Sequence, residues 1–457
     1  MKRQLLLVLG TLLLLAGWLS AFLLTSMPQQ STLYLLLPTL LLGVGMGVLA
    51  KTVGNRLMAL TLALTALTAL LSLNQIFPNR GAGFDAFSQE AVLQKGTAQP
   101  LRVIEESGAS KNSTARKLEA FAPIQVRRFA QLPASPRMMA FGPQGRLFVS
   151  LPKLGAIYLL EDRDGDGFAE PPQLYHAGLD RPHGLLWYNG KLLVAETASL
   201  LELSDTNGDD SVDQVRTLVA GLPDDGGHWT RSLALGADGS IYLSVGSRCN
   251  ACEETDPRRA GVLKVDPKTA AVEIFARGLR NSVGLAVAPD SGVLWGSDNG
   301  RDMLGDELPP DEINRIVAGG DYGWPRCFGK KQPDPEHGTV EACRDTIPSQ
   351  VDLPAHTAPL GIAFGHSLDA PEKYRNSLYV ASHGSWNRSV PRGYKLVRIP
   401  YQNDRMAAVG HEFLRGWLQR GQAWGRPVDP VVGPDGNLYL SDDRANLIYR
   451  ISWQTRE

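Results

Sequence analysis

The sequence predicts an all-β fold, a six-bladed β-propeller preceded by an N-terminal membrane anchor of three transmembrane helices. Three observations carry that expectation. A two-strand pattern recurs six times after residue 123. The chain has 47 glycines and 30 prolines in 457 residues, about 17% against a usual ~12%, which suits a turn-rich β protein and not a helical bundle. Three apolar runs precede the repeats, in a segment with no Asp or Glu before Asp85.

The apolar runs span about 4–25, 33–50 and 57–77, close to the ~20 residues of a spanning helix. A secretory signal fits the first run poorly. It exceeds the usual ~7–15 apolar residues, and no clear small-residue cleavage site follows. Lys2 and Arg3 precede the first run, Lys51 and Arg56 lie between the second and third, and Ser26–Thr32 has no charge. The positive-inside rule then places the N-terminus and the 51–56 loop in the cytoplasm. Everything after residue 78 falls on the outer side, the periplasm if this is the inner membrane of a Gram-negative cell. The runs contain no His or acid, hence no haem ligand or proton relay within the membrane. Residues 79–122 read as a polar linker with at most a short helix.

The charges agree with this division. Overall there are 46 Lys+Arg against 47 Asp+Glu, without the basic footprint of a nucleic-acid protein. The segment through Arg80 is +5 and the rest is −6.

The repeat copies are 135–152, 181–197, 230–247, 282–300, 358–384 and 427–443. In each, Gly, Asp or Asn turns pair two alternating strands into a hairpin. The copies start 46, 49, 52, 76 and 69 residues apart. Four strands per ~40–50 residues is the propeller period, and a pair of β-sandwiches does not explain that regularity. Six copies give six blades in 123–457. The wider gaps hold insertions at 301–357 and 366–376, expected as loops on a functional face. Only one strand, Asn446–Trp453, follows the last copy, so Ile124–Phe129 is expected to supply the missing outer strand and close the ring.

Two loops have calcium-like spacing. Asp162, Asp164, Asp166 and Glu170 occupy loop positions 1, 3, 5 and 9, and Asp205, Asn207, Asp209 and Asp213 repeat them one blade later. Alternate oxygens of a curled loop suit a hard cation. An EF-hand needs Glu at position 12, where the first loop has Gln173. The competing reading is an acidic turn.

Cys249-Asn-Ala-Cys252 is followed by Glu253, which excludes a c-type haem site. In an oxidising compartment two disulfides, 249–252 and 327–343, are the simplest account of the four cysteines.

Three stretches flank the inner strands, where propeller loops surround the central channel. They are Gly226–Arg231 (GGHWTR), Gly278–Asn281 (GLRN), and Ser297–Asp302 (SDNGRD), which continues to Asp311-Glu312-Ile-Asn314 and Gly319–Pro325 (GGDYGWP). Over most of 123–453 the chain resembles the pyrroloquinoline-quinone (PQQ)-dependent glucose/sorbosone dehydrogenase family, most strongly its sorbosone-dehydrogenase-like branch. The resemblance implies a PQQ- and calcium-dependent oxidoreductase that oxidises a sugar or sugar aldehyde by hydride transfer to PQQ. Electrons would pass to the respiratory chain, with membrane quinone as acceptor.

The resemblance also assigns residues. His228 matches the base that takes the hydroxyl proton, with a pKa expected near working pH. Arg280 and Asn281 match an Arg-Asn pair that holds the quinone, and Ser282 stands where the family has Pro. Arg280 would stabilise charge on the reduced quinone oxygen. Asn299, Gly300 and Arg301, with Asp311 and Glu312, match the active-site calcium region, where the metal acts as a Lewis acid. Arg426 matches one arginine of the PQQ carboxylate cradle. The second falls on Val428, and the family's quinone-binding Lys has no counterpart, leaving Arg388 to substitute. Gly227 replaces an acid of the glucose-oxidising branch.

Each residue has a plainer reading. His228 is a solvated or satisfied loop histidine, and Arg280 pairs with an acid. His183 and His356, on equivalent loops, line the substrate funnel or make ordinary contacts. Trp324 reads as core, and Asp298 and Asp302 as ligands or structural acids. Two other functions remain open: a calcium-dependent lactonase-type propeller hydrolase, and a non-catalytic propeller that binds carbohydrate or protein.

Overall fold

A computed structural model describes residues 99–103 and 117–453. The described residues all belong to one compact unit, within 81–457. The three apolar runs, with Lys2, Arg3, Lys51 and Arg56, lie outside the described residues. Among the described residues no helix is long and apolar enough to cross a membrane.

Six antiparallel blades form in chain order. The first five begin with Met139–Phe141, Leu185–Tyr188, Leu233–Leu235, Ser282–Val287 and Pro359–Phe364, and the sixth with Pro427–Val432. Each of the six predicted copies supplies the first two strands of one blade. At the first hairpin turn of blade two, Asn189 and Gly190 both have positive φ, 49° and 78°. This is the primed geometry that matches strand twist.

Burial follows the radial order. The second strands Leu147–Leu151, Ile241–Val245, Leu294–Asp298, Ser377–Ser382 and Leu438–Asp442 are buried at every position. In the outermost strand Gln214–Val219 the first four residues are exposed. Inner strands are covered by neighbouring blades on both faces, so they read as apolar runs.

The ring closes as the sequence predicts. Ile124–Gln131 pairs antiparallel with Leu447–Trp453, from Ile124 opposite Trp453 to Gln131 opposite Leu447. The strand just before blade one thereby completes the last blade, and no sheet edge stays open there.

Two expectations change. Part of the 79–122 linker is sheet. Lys117–Ala120 pairs with His411–Arg415, and Gln99–Arg102 pairs with Lys117–Ala120, extending blade five. Leu118 and Ala120 are fully buried, a period-2 pattern too short to stand out in sequence.

The insertions also differ from plain loops. Residues 301–357 contain strands Asp311–Ile316 and Val351–Leu353 of blade four, and a short segment stapled by Cys327–Cys343. The 366–376 insertion joins the first two strands of blade five, at the end opposite the candidate site. There the Asp369 N–H donates to the Gly436 carbonyl at 2.8 Å.

Candidate functional site

At one end of the ring, the residue two places before an inner strand is Arg137, His183, Arg231 and Arg280 in blades one to four. The register of the sheets therefore brings these side chains to a common level around the channel mouth.

His228, Arg280, Asn281 and Asn299 come together. His228 Nδ1 lies 2.9 Å from both the carbonyl and Oγ of Ser247. A carbonyl only accepts, so Nδ1 carries the proton and Nε2 keeps its lone pair. Burial and the charges of Arg280, Arg259 and Arg231 push the His228 pKa down to about 3, against one opposing hydrogen bond to Ser247. This corrects the expectation of a pKa near working pH.

Arg280 is almost wholly buried and anchors the loops around it. Its Nε donates to the Asn250 carbonyl at 2.9 Å, and other guanidinium N–H groups reach Asn250 Oδ1 at 3.0 Å and the Asn299 carbonyl at 3.2 Å. Asp302 is 3.4 Å away. The backbone N–H groups of Arg280 and Asn281 both donate to Asp298, at 3.0 and 2.8 Å. Burial pushes the Asp298 pKa up to about 6, although those bonds oppose it. Asp298 is thus a structural acid that fixes the Arg-Asn backbone. Asn299 also donates from its side chain to the Pro359 carbonyl at 2.9 Å.

The residues expected around an active-site calcium do not converge. Asp311 and Glu312 are successive strand residues and point to opposite faces. Asp311 accepts from the backbone N–H groups of Gly300, Thr357 and Ala358 at 3.0, 2.6 and 3.1 Å. Glu312 accepts from the Gly329 N–H at 2.5 Å and from Asn314 at 2.9 Å. Burial pushes its pKa up to about 8. The Asn299 carbonyl already accepts from Arg280, and the Arg301 guanidinium faces Asp334 at 3.0 Å and Glu336 at 3.1 Å. This donor set does not fit a channel calcium.

The outer calcium-like loops differ from each other. Carboxylate oxygens of Asp162, Asp164 and Asp166 lie within 4.8 Å of one another, while Asp205, Asp209 and Asp213 form no such group among the described residues. The backbone bonding is nonetheless the same in both loops: in the second, Asp213 accepts from the Thr206 N–H at 2.7 Å, and Asn207 Oδ1 accepts from the Asp209 N–H at 2.9 Å. In the first, Glu170 accepts from the Arg163 N–H at 2.9 Å.

The expected carboxylate cradle is rearranged. Arg388 does not take a lysine's place, because its guanidinium is bound to the Asp306 and Ala355 carbonyls and to Glu307. Arg426 braces the next loop through the His383 and Gly384 carbonyls and lies over the Tyr394 ring. Val428 is fully buried with Met138, Val283 and Leu360, an apolar plug drawn from four blades.

Sequence reading missed the cluster beside Arg426. His383 Nε2 lies 2.9 and 3.0 Å from the two Asp443 oxygens, and Arg137 donates to Asp443 at 2.8 Å. Burial holds the His383 pKa down at about 4. These residues share no local motif; their only common signal is their place next to inner strands of blades one, five and six. His183 and His356 are buried. His183 Nδ1 is 2.9 Å from the Arg231 carbonyl, and His356 Nε2 is 2.9 Å from the carbonyls of Gly305 and Leu308. Trp324 is half-buried.

Arg280, Arg259 and Arg231 surround His228 with positive charge, and Arg137 Nε and Arg231 Nε are buried without a partner among the described residues. Such orphaned donors suit an anion. Together with the Arg280-Asn281 pair, they fit an anionic cofactor such as the tricarboxylate PQQ.

Residues 110–455 match a family model described as "Domain of unknown function (DUF7133)". The chain belongs to that family. An uncharacterized protein of Borreliella burgdorferi is 41% identical over 221 residues, 47% of this chain and 57% of that protein. The PQQ-dependent pyranose dehydrogenase of Coprinopsis cinerea is 36% identical over 121 residues, 22% of this chain and 15% of that protein. The chain thus spans less than two thirds of these relatives' lengths. The holo form of the pyranose dehydrogenase PQQ domain from the same fungus superposes with a TM-score of 0.63 at 21% identity, covering 76% of this chain and 100% of that one. That likeness shows the fold. The chain's relatives and structural neighbours include PQQ-dependent sugar dehydrogenases.

Proposed function

We propose that this chain is a PQQ-dependent oxidoreductase of the sorbosone-dehydrogenase-like type, oxidising a sugar or sugar aldehyde. The observation that carries the reading is His228. Its tautomer is fixed by Ser247, it is neutral, and it adjoins the Arg280-Asn281 pair in an arginine-rich mouth. PQQ, when bound, supplies the hydride acceptor.

The residues supply the rest. His228 Nε2 takes the proton of the substrate hydroxyl as the hydride leaves the same carbon. Arg280, held in place by Asn250 and Asn299, would present a fixed positive charge to the oxygen that becomes negative. Arg137, whose Nε is buried without a partner among the described residues, would hold a carboxylate. No step runs through calcium at the channel; we assign calcium a structural role at Asp162–Glu170. The lactonase alternative needs carboxylates that converge at the channel, and Asp311 and Glu312 diverge.

The expected +5 anchor would hold the domain on the periplasmic side of the inner membrane. Membrane quinone is then the natural acceptor. The test is reduction of a redox dye by the purified full chain with aldoses and sugar aldehydes, with and without PQQ. PQQ-stimulated dye reduction supports the reading, and no stimulation across the panel rejects it.

A further inference from the structure

The Cys249–Cys252 disulfide closes a small loop that contains Asn250. Asn250 makes four of the contacts that define the candidate site. Its carbonyl and Oδ1 accept from the Arg280 guanidinium at 2.9 and 3.0 Å. The same Oδ1 accepts from the Asp302 N–H at 2.8 Å, and Asn250 Nδ2 donates back to the Asp302 carbonyl at 3.1 Å. One residue can offer a guanidinium both its carbonyl and its side-chain oxygen only if its backbone is fixed.

The same loop reaches His228. Ser247 Oγ donates to the Cys249 carbonyl at 2.8 Å, and Ser247 is the partner of His228 Nδ1. The Ser247 N–H donates to the Arg280 carbonyl at 2.7 Å. The Gly227 N–H, one residue before His228, donates to the Arg248 carbonyl at 3.0 Å. Residues 247–250 therefore orient both the base and the arginine, and the disulfide fixes them. The second disulfide, Cys327–Cys343, staples the 327–343 segment of blade four's insertion and makes none of these contacts.

We propose that Asn250 is a positioning residue for Arg280, and that Cys249–Cys252 is a redox latch holding Arg280 and His228 in working geometry. The inference rests on the roles given to those two residues under Proposed function. Opening the latch takes two electrons and two protons from an external dithiol. The S–S bond becomes two thiols and the dithiol becomes a disulfide. Released, Asn250 no longer fixes the guanidinium.

The test uses the full chain carrying Cys327→Ser and Cys343→Ser, so that only one disulfide remains. Arg280 is labelled with phenylglyoxal, with and without dithiothreitol, and mapped by peptide mass; thiol alkylation confirms reduction. Buried in the oxidised protein, Arg280 should label at least about tenfold faster after reduction, as expected for a local opening, while Arg137 keeps its rate. In a chain carrying Cys249→Ser and Cys252→Ser, reductant should change nothing. With the disulfide intact, Asn250→Ala should weaken PQQ binding, followed by tryptophan fluorescence, by about tenfold or more, the scale of lost charge-assisted bonds. Asn250→Asp, which keeps both acceptors for Arg280 but loses the Nδ2 donor to Asp302, should recover part of it. Unchanged Arg280 labelling in fully reduced protein overturns the latch, and unchanged PQQ affinity in Asn250→Ala overturns the positioning role. If the unsubstituted chain binds no PQQ, the cofactor reading falls, while the labelling still decides the latch.

Discussion

His228 and Asn281 pack against the same glycine. A Cβ at Gly246 would stand 2.6 Å from both His228 Cβ and Asn281 Oδ1. The candidate base and the candidate cofactor residue are thus set side by side by the absence of a side chain. Gly246→Ala must displace one of them. Because small misplacements at a reacting centre cost on the order of 10²-fold, dye-linked turnover should fall by about that factor with the fold intact by circular dichroism. Turnover within about twofold of the parent would contradict the arrangement.

The depressed pKa of His228 has a cause that a bound anion should remove. Burial and three arginines bring it to about 3. Carboxylates against those arginines offset their charge, so the acid limb of kcat/KM in the holoenzyme should lie above 3 and towards the ordinary histidine value of ~6.5. His228→Ala should keep PQQ binding and lose turnover by at least ~10²-fold, the scale of general-base loss. An unchanged acid limb in an active His228→Ala protein would assign the base to another group.

Glu312 makes folding stability depend on pH. Its folded pKa is raised to about 8 by burial, and Asp298 and Asp429 are raised to about 6 and 7. A raised folded pKa means that the native state holds protons the unfolded chain has released. Stability is therefore full below the unfolded carboxylate pKa and falls as pH rises through 6 to 8. The thermal midpoint should drop between pH 5 and 9, and Glu312→Gln should flatten the drop and raise the midpoint at pH 9. A midpoint in Glu312→Gln with the parent's full pH dependence would show that this carboxyl is not responsible.

The calcium assignment concerns one loop. With Asp162, Asp164 and Asp166 grouped as they are, chelation should lower the thermal midpoint of the parent by a few degrees, the scale of a bound-ligand contribution of about 1–3 kcal/mol. Asp164→Asn should show a smaller response. An equal response in Asp164→Asn and the parent would place the ion elsewhere.

The blades were legible because turn chemistry and alternating strands are local signals. Asn189-Gly190 names its own hairpin, and the missing outer strand of the last blade pointed to Ile124–Gln131. The two disulfides agree with the pairing expected from the four cysteines and an oxidising compartment. His228 and Arg280 were found by motif, but their environment was not. The low pKa of His228 arises from burial first, and then from the charges of Arg280, Arg259 and Arg231, which folding gathers around it. Asp311 and Glu312 misled because adjacency in sequence suggests a pair, whereas adjacency in a strand separates them. His383 and Asp443 lie 60 residues apart and meet only when blade six packs against blade five, so no local pattern announces them.

The central claim is that the arginine-rich mouth around His228 holds PQQ for sugar oxidation. The most direct measurement is a titration of purified full chain with PQQ, following the visible spectrum and tryptophan fluorescence, repeated with Arg280→Ala. The account predicts saturable binding to the parent and a loss of about tenfold or more in affinity on removing Arg280, the scale of lost charge-assisted bonds. A parent spectrum that remains that of free PQQ throughout the titration would contradict it.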